Sequence, residues 1–274
     1  MAERREALER IAAALERLAP PPSPPTDWSS APAFVWDGAC AKALDRLDAL
    51  PLERLHAIDK QKAALTENLK RLAKGAAAHD VLLWGARGMG KSALIRAVTA
   101  AVHDAQPGAL ALVQVMPGAL PSFPALLDIL ASQSRAFLIF IDDLGFGQGQ
   151  HQDALALRSL LDGGLAERPA RIRIAVTANQ RAILARDGSE TEAMHERDAR
   201  DDALALADRF GLTLGFHPCE RSEYLEILRG YTEPVGLSFD EEEALAWAIG
   251  RGNRSGRTAY QFAIELAGRA GIQL

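Results

Sequence analysis

The stretch Gly85-Ala86-Arg87-Gly88-Met89-Gly90-Lys91-Ser92 constrains this chain more than any other. It follows a short apolar run, Val81 to Trp84, and opens a helical pattern, Ala93 to Val102. Glycine, four variable residues, then Gly-Lys-Ser is the pattern of a phosphate-binding loop set between a strand and a helix. At average residue frequencies the pattern arises by chance in about one chain in a hundred of this length, and the flanking strand and helix lower that figure further. The glycines let the backbone wrap so that N–H groups point inward at phosphate oxygens, and the new helix adds its positive dipole end. Lys91 is then placed to bridge the β- and γ-phosphates of ATP, and the Ser92 hydroxyl to hold Mg²⁺. The predicted nucleotide-binding stretch is Gly85, Ala86, Arg87, Gly88, Met89, Gly90, Lys91, Ser92 and Ala93, with Arg87 and Met89 at variable positions that carry no chemical role.

Such a loop needs an acidic partner for its metal. The run Phe-Leu-Ile-Phe-Ile-Asp-Asp-Leu, residues 137–144, ends a buried apolar strand on Asp142 and Asp143, about fifty residues after Lys91. Asp142 is the expected Mg²⁺ ligand, direct or one shell out, and Asp143 stands where such ATPases carry the carboxylate that orients and deprotonates water. Glutamate is commoner there. Aspartate is one methylene shorter, so it must sit closer or act through another water, which predicts slow hydrolysis. A further apolar run ends on Thr177, Ala178 and Asn179, at the carboxyl edge where open α/β sheets bind ligands. Asn179 is placed there to sense the γ-phosphate and the water.

Five short apolar runs alternate with helical pattern: Val81 to Trp84, Ala109 to Val115, Phe137 to Ile141, Ile172 to Thr177 and Leu212 to Phe216. They predict a parallel five-stranded sheet flanked by crossover helices. From Pro218 onward only helical pattern remains, over Ser222 to Tyr231, Asp240 to Ile249 and Ser255 to Ala270, so a small all-helical lid is expected at the C-terminus. Upstream, Leu8, Ile11, Ala12, Leu15 and Leu18 mark an amphipathic helix before the proline run of residues 20–25. That helix is either a docking arm or packs on its own body. Trp28 to Trp36 reads as irregular, and Ala41 to Leu50 and Asp59 to Leu72 as helical. The expected domains are an arm and linker over 1–50, an α/β ATPase unit over 51–217 and the lid over 218–274.

At 274 residues with 48% hydrophobic and 24% charged residues, the chain has the composition of a globular protein able to bury a core. A net charge of -5 argues against a long phosphate-tracking surface. Cys40 and Cys219 stand alone, without zinc or disulfide spacing. The uncharged run Ala105 to Leu127 is broken by four prolines and two glycines, so no membrane helix is predicted, and the charged first residues do not read as a signal peptide. The cytoplasm is the expected compartment.

With these pieces in this order, the chain resembles the AAA+ ATPases: GARGMGKS as Walker A, IFIDD as Walker B and TAN as sensor 1. More narrowly, LLWGARGMGKS, IDDLGF, TANQR, LADRFGL and GNRSGRTAYQFA together resemble a bacterial AAA+ family known only as a domain of unknown function. The resemblance spans roughly Leu52 to Gly268. It implies that Arg209, just before the last strand, is an arginine finger reaching a neighbouring subunit's ATP, the alternative being a local ion pair with Asp208 or another acid. It implies a sensor 2 arginine opening the final helix, with Arg257 the better match and Arg254 the second. It implies that Leu55 and Ile58 flank adenine, the alternative being core packing at a helix start. In the segment LERLHAIDKQ, Ala57 and Ile58 precede Asp59 where AAA+ proteins often place glycine.

Two loops stand apart. Gly145 to His151 is glycine-rich and presents Phe146, so it either transmits nucleotide state or merely connects; residues 185–202, with His195, form a charged insertion or a partner-binding lid. The implied partners are ATP, further copies of the chain in a homo-oligomer, and a macromolecule to be remodelled or switched. A slow-turnover switch is one alternative. A DNA-acting loader is another, for which Arg168, Arg171, Arg173, Arg181 and Arg186 supply a basic edge, though the net charge disfavours nucleic acid.

Overall fold

The computed structural model describes residues 26–144, 169–179 and 207–274, together with residues 4–7, 9–10, 157 and 161. Seven described strands form one sheet: β1 (Ala33–Trp36), β2 (Ala41–Leu44), β3 (Val81–Gly85), β4 (Leu110–Val115), β5 (Ala136–Leu144), β6 (Ile172–Asn179) and β7 (Leu212–Phe216). Their order is β2-β1-β4-β5-β6-β3-β7. The five expected strands are all present and mutually parallel, with β5 at the centre of the seven. The first six residues of β5 are all buried, as a strand covered on both faces requires.

Two strands were not expected. β1 runs parallel to β4 and β2 antiparallel to β1, so the sheet has seven strands rather than five, and residues 33–44 belong to it rather than to an arm ahead of it. The four residues Ala-Phe-Val-Trp of β1 are too short to declare a strand against the surrounding prolines and tryptophans. Those of β2, Ala-Lys-Ala-Leu, have helical propensity that pairing overrides. The turn between them is built by Asp37, whose carboxylate accepts from the Ala39 N–H at 2.9 Å and the Cys40 N–H at 2.8 Å. Those donors hold the Asp37 carboxyl down at about 2.

Helices cover both faces. On one lie α1 (Asp59–Ala73) and α2 (Lys91–Ala105), whose buried residues, among them Leu65, Leu69, Leu94 and Val98, share a core with β3. On the other, α3 (Phe123–Ala131) packs Phe123 and Leu126 with Trp28, Phe34 and Trp36, and Trp36 Nε1 donates to Ser122 Oγ at 2.8 Å. Three C-terminal helices follow β7: α4 (Arg221–Thr232), α5 (Glu241–Gly250) and α6 (Gly256–Arg269). The expected starts at Asp240 and Ser255 coincide with caps, whereas α4 begins ahead of the expected Ser222. Glu220 and Glu223 form a reciprocal capping box, Asp240 accepts from the Glu243 N–H, and Ser255 accepts from the Thr258 N–H. Tyr224, Leu228, Phe262 and Ala263 of this unit join the same core as β3 and α2. Among the described residues, no helix is long and apolar enough to cross a membrane.

Candidate functional site

The glycine-rich loop leaves β3 at Gly85 and enters α2 at Lys91. Gly85 has φ +128°, and a Cβ there would lie 2.0 Å from the Phe216 carbonyl oxygen, so no other residue fits so close to β7. The next residue uses that proximity: the Ala86 N–H donates to Phe216 O at 2.8 Å. Gly88, at φ +77°, lies against the start of α6. A Cβ there would approach Ser255 Oγ to 2.9 Å, and the Gly88 carbonyl accepts from the Arg257 N–H at 3.0 Å. The loop is therefore hydrogen-bonded to the C-terminal helices. Met89, given no role from the sequence, is buried under the loop with its sulfur 3.5 Å from Cys219 Sγ. Burial pushes the Cys219 thiol up to about 12.

Lys91 is 8% exposed, and its ammonium donates to the Gly85 carbonyl at 2.8 Å, the Ala86 carbonyl at 2.9 Å and Asn179 Oδ1 at 3.4 Å. Burial draws its pKa below the usual lysine range, while the carboxylates of Asp143 and Asp142 draw it back up. A buried cation resting on weakly held carbonyls is poised to take a stronger anionic acceptor.

Across from it, Ser92 Oγ donates to Asp142 Oδ1 at 2.6 Å. Asp142 Oδ1 also accepts from Thr177 Oγ1 at 2.6 Å, and the Asp143 N–H donates to that same threonine oxygen at 2.8 Å. Asn179 Nδ2 donates to Asp143 Oδ1. Asp143 itself has φ +53°, a left-handed conformation that costs a non-glycine residue about 1 kcal/mol and that aspartate tolerates better than most. Sequence reading missed the role of Thr177. Strand alternation puts Thr177 on the face of Asn179, two residues on, but does not announce its contact with the acidic pair.

These groups line one cavity of about 740 Å³. Its lining divides by chemistry into a phosphate-loop end, with Gly88, Gly90, Lys91, Ser92, Asp142 and Asp143, and an apolar end, with Leu55, Ile58, Ile227, Tyr231 and Tyr260; Ile58 adjoins Gly90 where the two meet. Leu55 and Ile58 are 6% and 5% exposed, so they serve the cavity wall and the core at once. Tyr231 and Tyr260, from α4 and α6, meet with ring centroids 5.1 Å apart. Neither tyrosine was expected, and no sequence signal marks them: their place depends on how the C-terminal helices pack. Ala57 has φ +62°, so alanine holds the left-handed backbone where relatives of the resemblance often carry glycine.

Arg257 lines the cavity as well, whereas Arg254 donates to the Cys219 carbonyl at 3.3 Å and does not line it. Arg209, just ahead of β7, is partly buried and stands outside this cavity. Arg171 donates to the Ser134 carbonyl and Arg173 to the Ala78 carbonyl at 2.6 Å, both at the opposite edge of the sheet. Arg168, Arg181, Arg186, His195, the loop from Gly145 to His151, the stretch 185–202 and the apolar face of the N-terminal helix lie outside the described residues.

The donor set suits magnesium with a triphosphate. Among the described residues no group of three or more His, Cys, Asp and Glu converges to hold a metal. The serine hydroxyl touching a single carboxylate instead offers the few hard oxygens that Mg²⁺ takes when phosphates supply the rest.

A family model described as "Protein of unknown function (DUF815)" matches residues 29–270. No curated protein matches the sequence. Among solved structures, the Thermotoga maritima RuvB Holliday junction branch migration motor is similar at 17% identity and a TM-score of 0.50, over 82% of this chain and 68% of that one. A RuvB A156S mutant gives 16% and 0.53 over the same shares. Aeropyrum pernix Orc1 in complex with DNA gives 15% and 0.53, over 80% of this chain and 65% of that one. The chain shares the AAA+ fold with these structures, and it belongs to the DUF815 family of proteins of unknown function.

Proposed function

We propose that this protein is a Mg-ATP-dependent AAA+ ATPase that hydrolyses ATP at subunit interfaces and uses its C-terminal helices to remodel or switch a macromolecular partner. One observation carries the reading: a single cavity joins the glycine-rich loop, Lys91, the acidic pair and Asn179 to an apolar end shared between the segment before α1 and the C-terminal helices.

The geometry supports this division of labour. The loop amides and the N-terminus of α2 receive phosphate oxygens, and the Lys91 ammonium exchanges its carbonyl partners for the β- and γ-phosphates. Ser92 and Asp142 would hold Mg²⁺, which supplies charge neutralisation at the phosphates when bound. Asp143 accepts the proton of the attacking water, with Asn179 fixing that carboxylate and sensing the γ-phosphate. Leu55, Ile58, Ile227, Tyr231 and Tyr260 enclose the adenine, and Arg257 reaches the phosphates from α6. Because the Gly88 carbonyl is bonded to the Arg257 N–H, a change in loop conformation is felt directly by the C-terminal helices.

Arg209 does not line its own chain's cavity, and we read it as the group that completes a neighbour's site. A guanidinium supplied in trans is worth about 10³ to 10⁵ in rate. Specific ATPase activity measured against protein concentration tests this: it rises as the chain assembles. Arg209→Ala binds ATP but does not turn it over, and mixing it with Asp143→Asn restores part of the activity. Flat specific activity with no rescue removes the trans finger.

A slow switch is the second reading, favoured by the hydrogen bond that already engages the Asp143 carboxylate and by the shorter side chain of aspartate. On that reading ATP binds and favours assembly while turnover stays slow at every concentration. The DNA-acting reading draws on the two similar structures, a branch migration motor and an Orc1 bound to DNA. Against it, Arg171 and Arg173 are engaged with backbone carbonyls. Salt-sensitive DNA binding in either nucleotide state would revive it.

A further inference from the structure

The acidic pair raises a geometric problem. Consecutive residues of a strand point to opposite faces, yet Asp142 and Asp143 both line the cavity. The pairing of β5 with β6 resolves it. Phe137 to Ile141 pair in step with Ile172 to Val176, and the next partners are Leu144 and Ala178. Two residues of β5 therefore face a single residue of β6, which is a β-bulge, and that single residue is Thr177.

Thr177 is 2% exposed, and both capacities of its hydroxyl are used. It donates to Asp142 Oδ1 at 2.6 Å and accepts from the Asp143 N–H at 2.8 Å. The first bond fixes the carboxylate that Ser92 also touches on the same oxygen; the second pins the peptide at which φ turns to +53°.

We propose that Thr177 is a positioning residue: its hydroxyl clips the bulge so that two adjacent carboxylates enter one cavity with different tasks. Asp142 is held toward Ser92 and the cation, and Asp143 is turned toward Asn179. The proposal rests on the Mg-ATP reading above. Thr177 borders the cavity, and its hydroxyl acts through the two aspartates that it bonds. A side chain of the same shape without the hydroxyl frees Asp142 to rotate away from Ser92 and releases the Asp143 peptide.

Calorimetric titration of the full chain with ATP, once with Mg²⁺ and once with EDTA, tests this apart from turnover. In the wild type, Mg²⁺ tightens ATP binding. Thr177→Val loses about tenfold of that gain, as expected when a group orienting a metal ligand is removed, while its affinity in EDTA stays at the wild-type value. Thr177→Ser, which keeps the hydroxyl, keeps the gain. Should the valine variant not fold, Thr177→Ala is measured in its place against Thr177→Ser. A Thr177→Val or Thr177→Ala protein that retains the full magnesium gain overturns the assignment, as does an equal weakening in EDTA, which marks a merely structural role. A folded wild type that binds no ATP under either condition is a different result: it defeats the Mg-ATP reading itself and this assignment with it.

Discussion

The two ends of the cavity are built on opposite principles. The phosphate-loop end is made by stretches contiguous in sequence and held by the backbone: Gly85 is locked against β7, Gly88 against α6, and Lys91, Asp142 and Asn179 stand at the ends of central elements. The apolar end is assembled from segments far apart, with Leu55 and Ile58 before α1 facing Tyr231 and Tyr260 on the C-terminal helices. The first end can be read in one line of sequence and has little freedom to vary. The second is complete only when the C-terminal helices are seated, and Gly88 ties the first to the same helices.

Substitutions at each end should separate them, and the largest effect belongs to the phosphate end. Lys91→Ala removes the one buried cation facing the phosphates and weakens ATP binding on the order of a hundredfold, measured by calorimetry. Asp143→Asn leaves that binding intact and lowers turnover by about a hundredfold, read by phosphate release; normal hydrolysis would place the base elsewhere. At the apolar end the effect is smaller and of another kind. Tyr260→Ala weakens ATP by about tenfold, as loss of a base-stacking ring does, and leaves pyrophosphate binding unchanged. An equal loss for both ligands would show that the two ends are not independent.

Two glycine–alanine exchanges sharpen the comparison through stability. At Gly230 on α4, an added Cβ would lie 2.3 Å from the His56 ring, which stands on the cavity rim beside Leu55. Gly230→Ala therefore pushes the C-terminal helices off that rim and costs about 1–3 kcal/mol in thermal unfolding. The reverse exchange, Ala57→Gly, relieves the left-handed backbone at φ +62° and stabilises by about 1 kcal/mol. A melting temperature lowered by Ala57→Gly would mean that the strain is not carried there.

The same contrast explains what the sequence made legible. Gly85 to Ser92, the Asp142–Asp143 pair and Asn179 were found because the pleat, the helix start and the phosphate loop each impose local residue types. The starts of α5 and α6, at the caps Asp240 and Ser255, were legible for the same reason. β1 and β2 escaped because four-residue strands with ordinary side chains become strands only through pairing with β4 and with each other. Thr177 escaped because its importance comes from a register slip in the β5–β6 ladder, which no periodicity announces. Tyr231 and Tyr260 escaped because one is buried and the other 42% exposed, so helical periodicity puts them in no common set that borders a cavity. Arg257 was preferred over Arg254 from the motif alone, and the cavity is lined by Arg257 and not by Arg254.

The central claim is that one cavity grips a magnesium-bound triphosphate at one end and its base at the other. Titrating Mg-ATP into the folded wild-type chain in a calorimeter, with pyrophosphate as competitor, tests it most directly. The account predicts saturable binding at one site per chain, displaced by pyrophosphate and tighter than pyrophosphate itself. No heat of association over a range of temperatures and magnesium concentrations, or ATP binding indifferent to pyrophosphate, would contradict it.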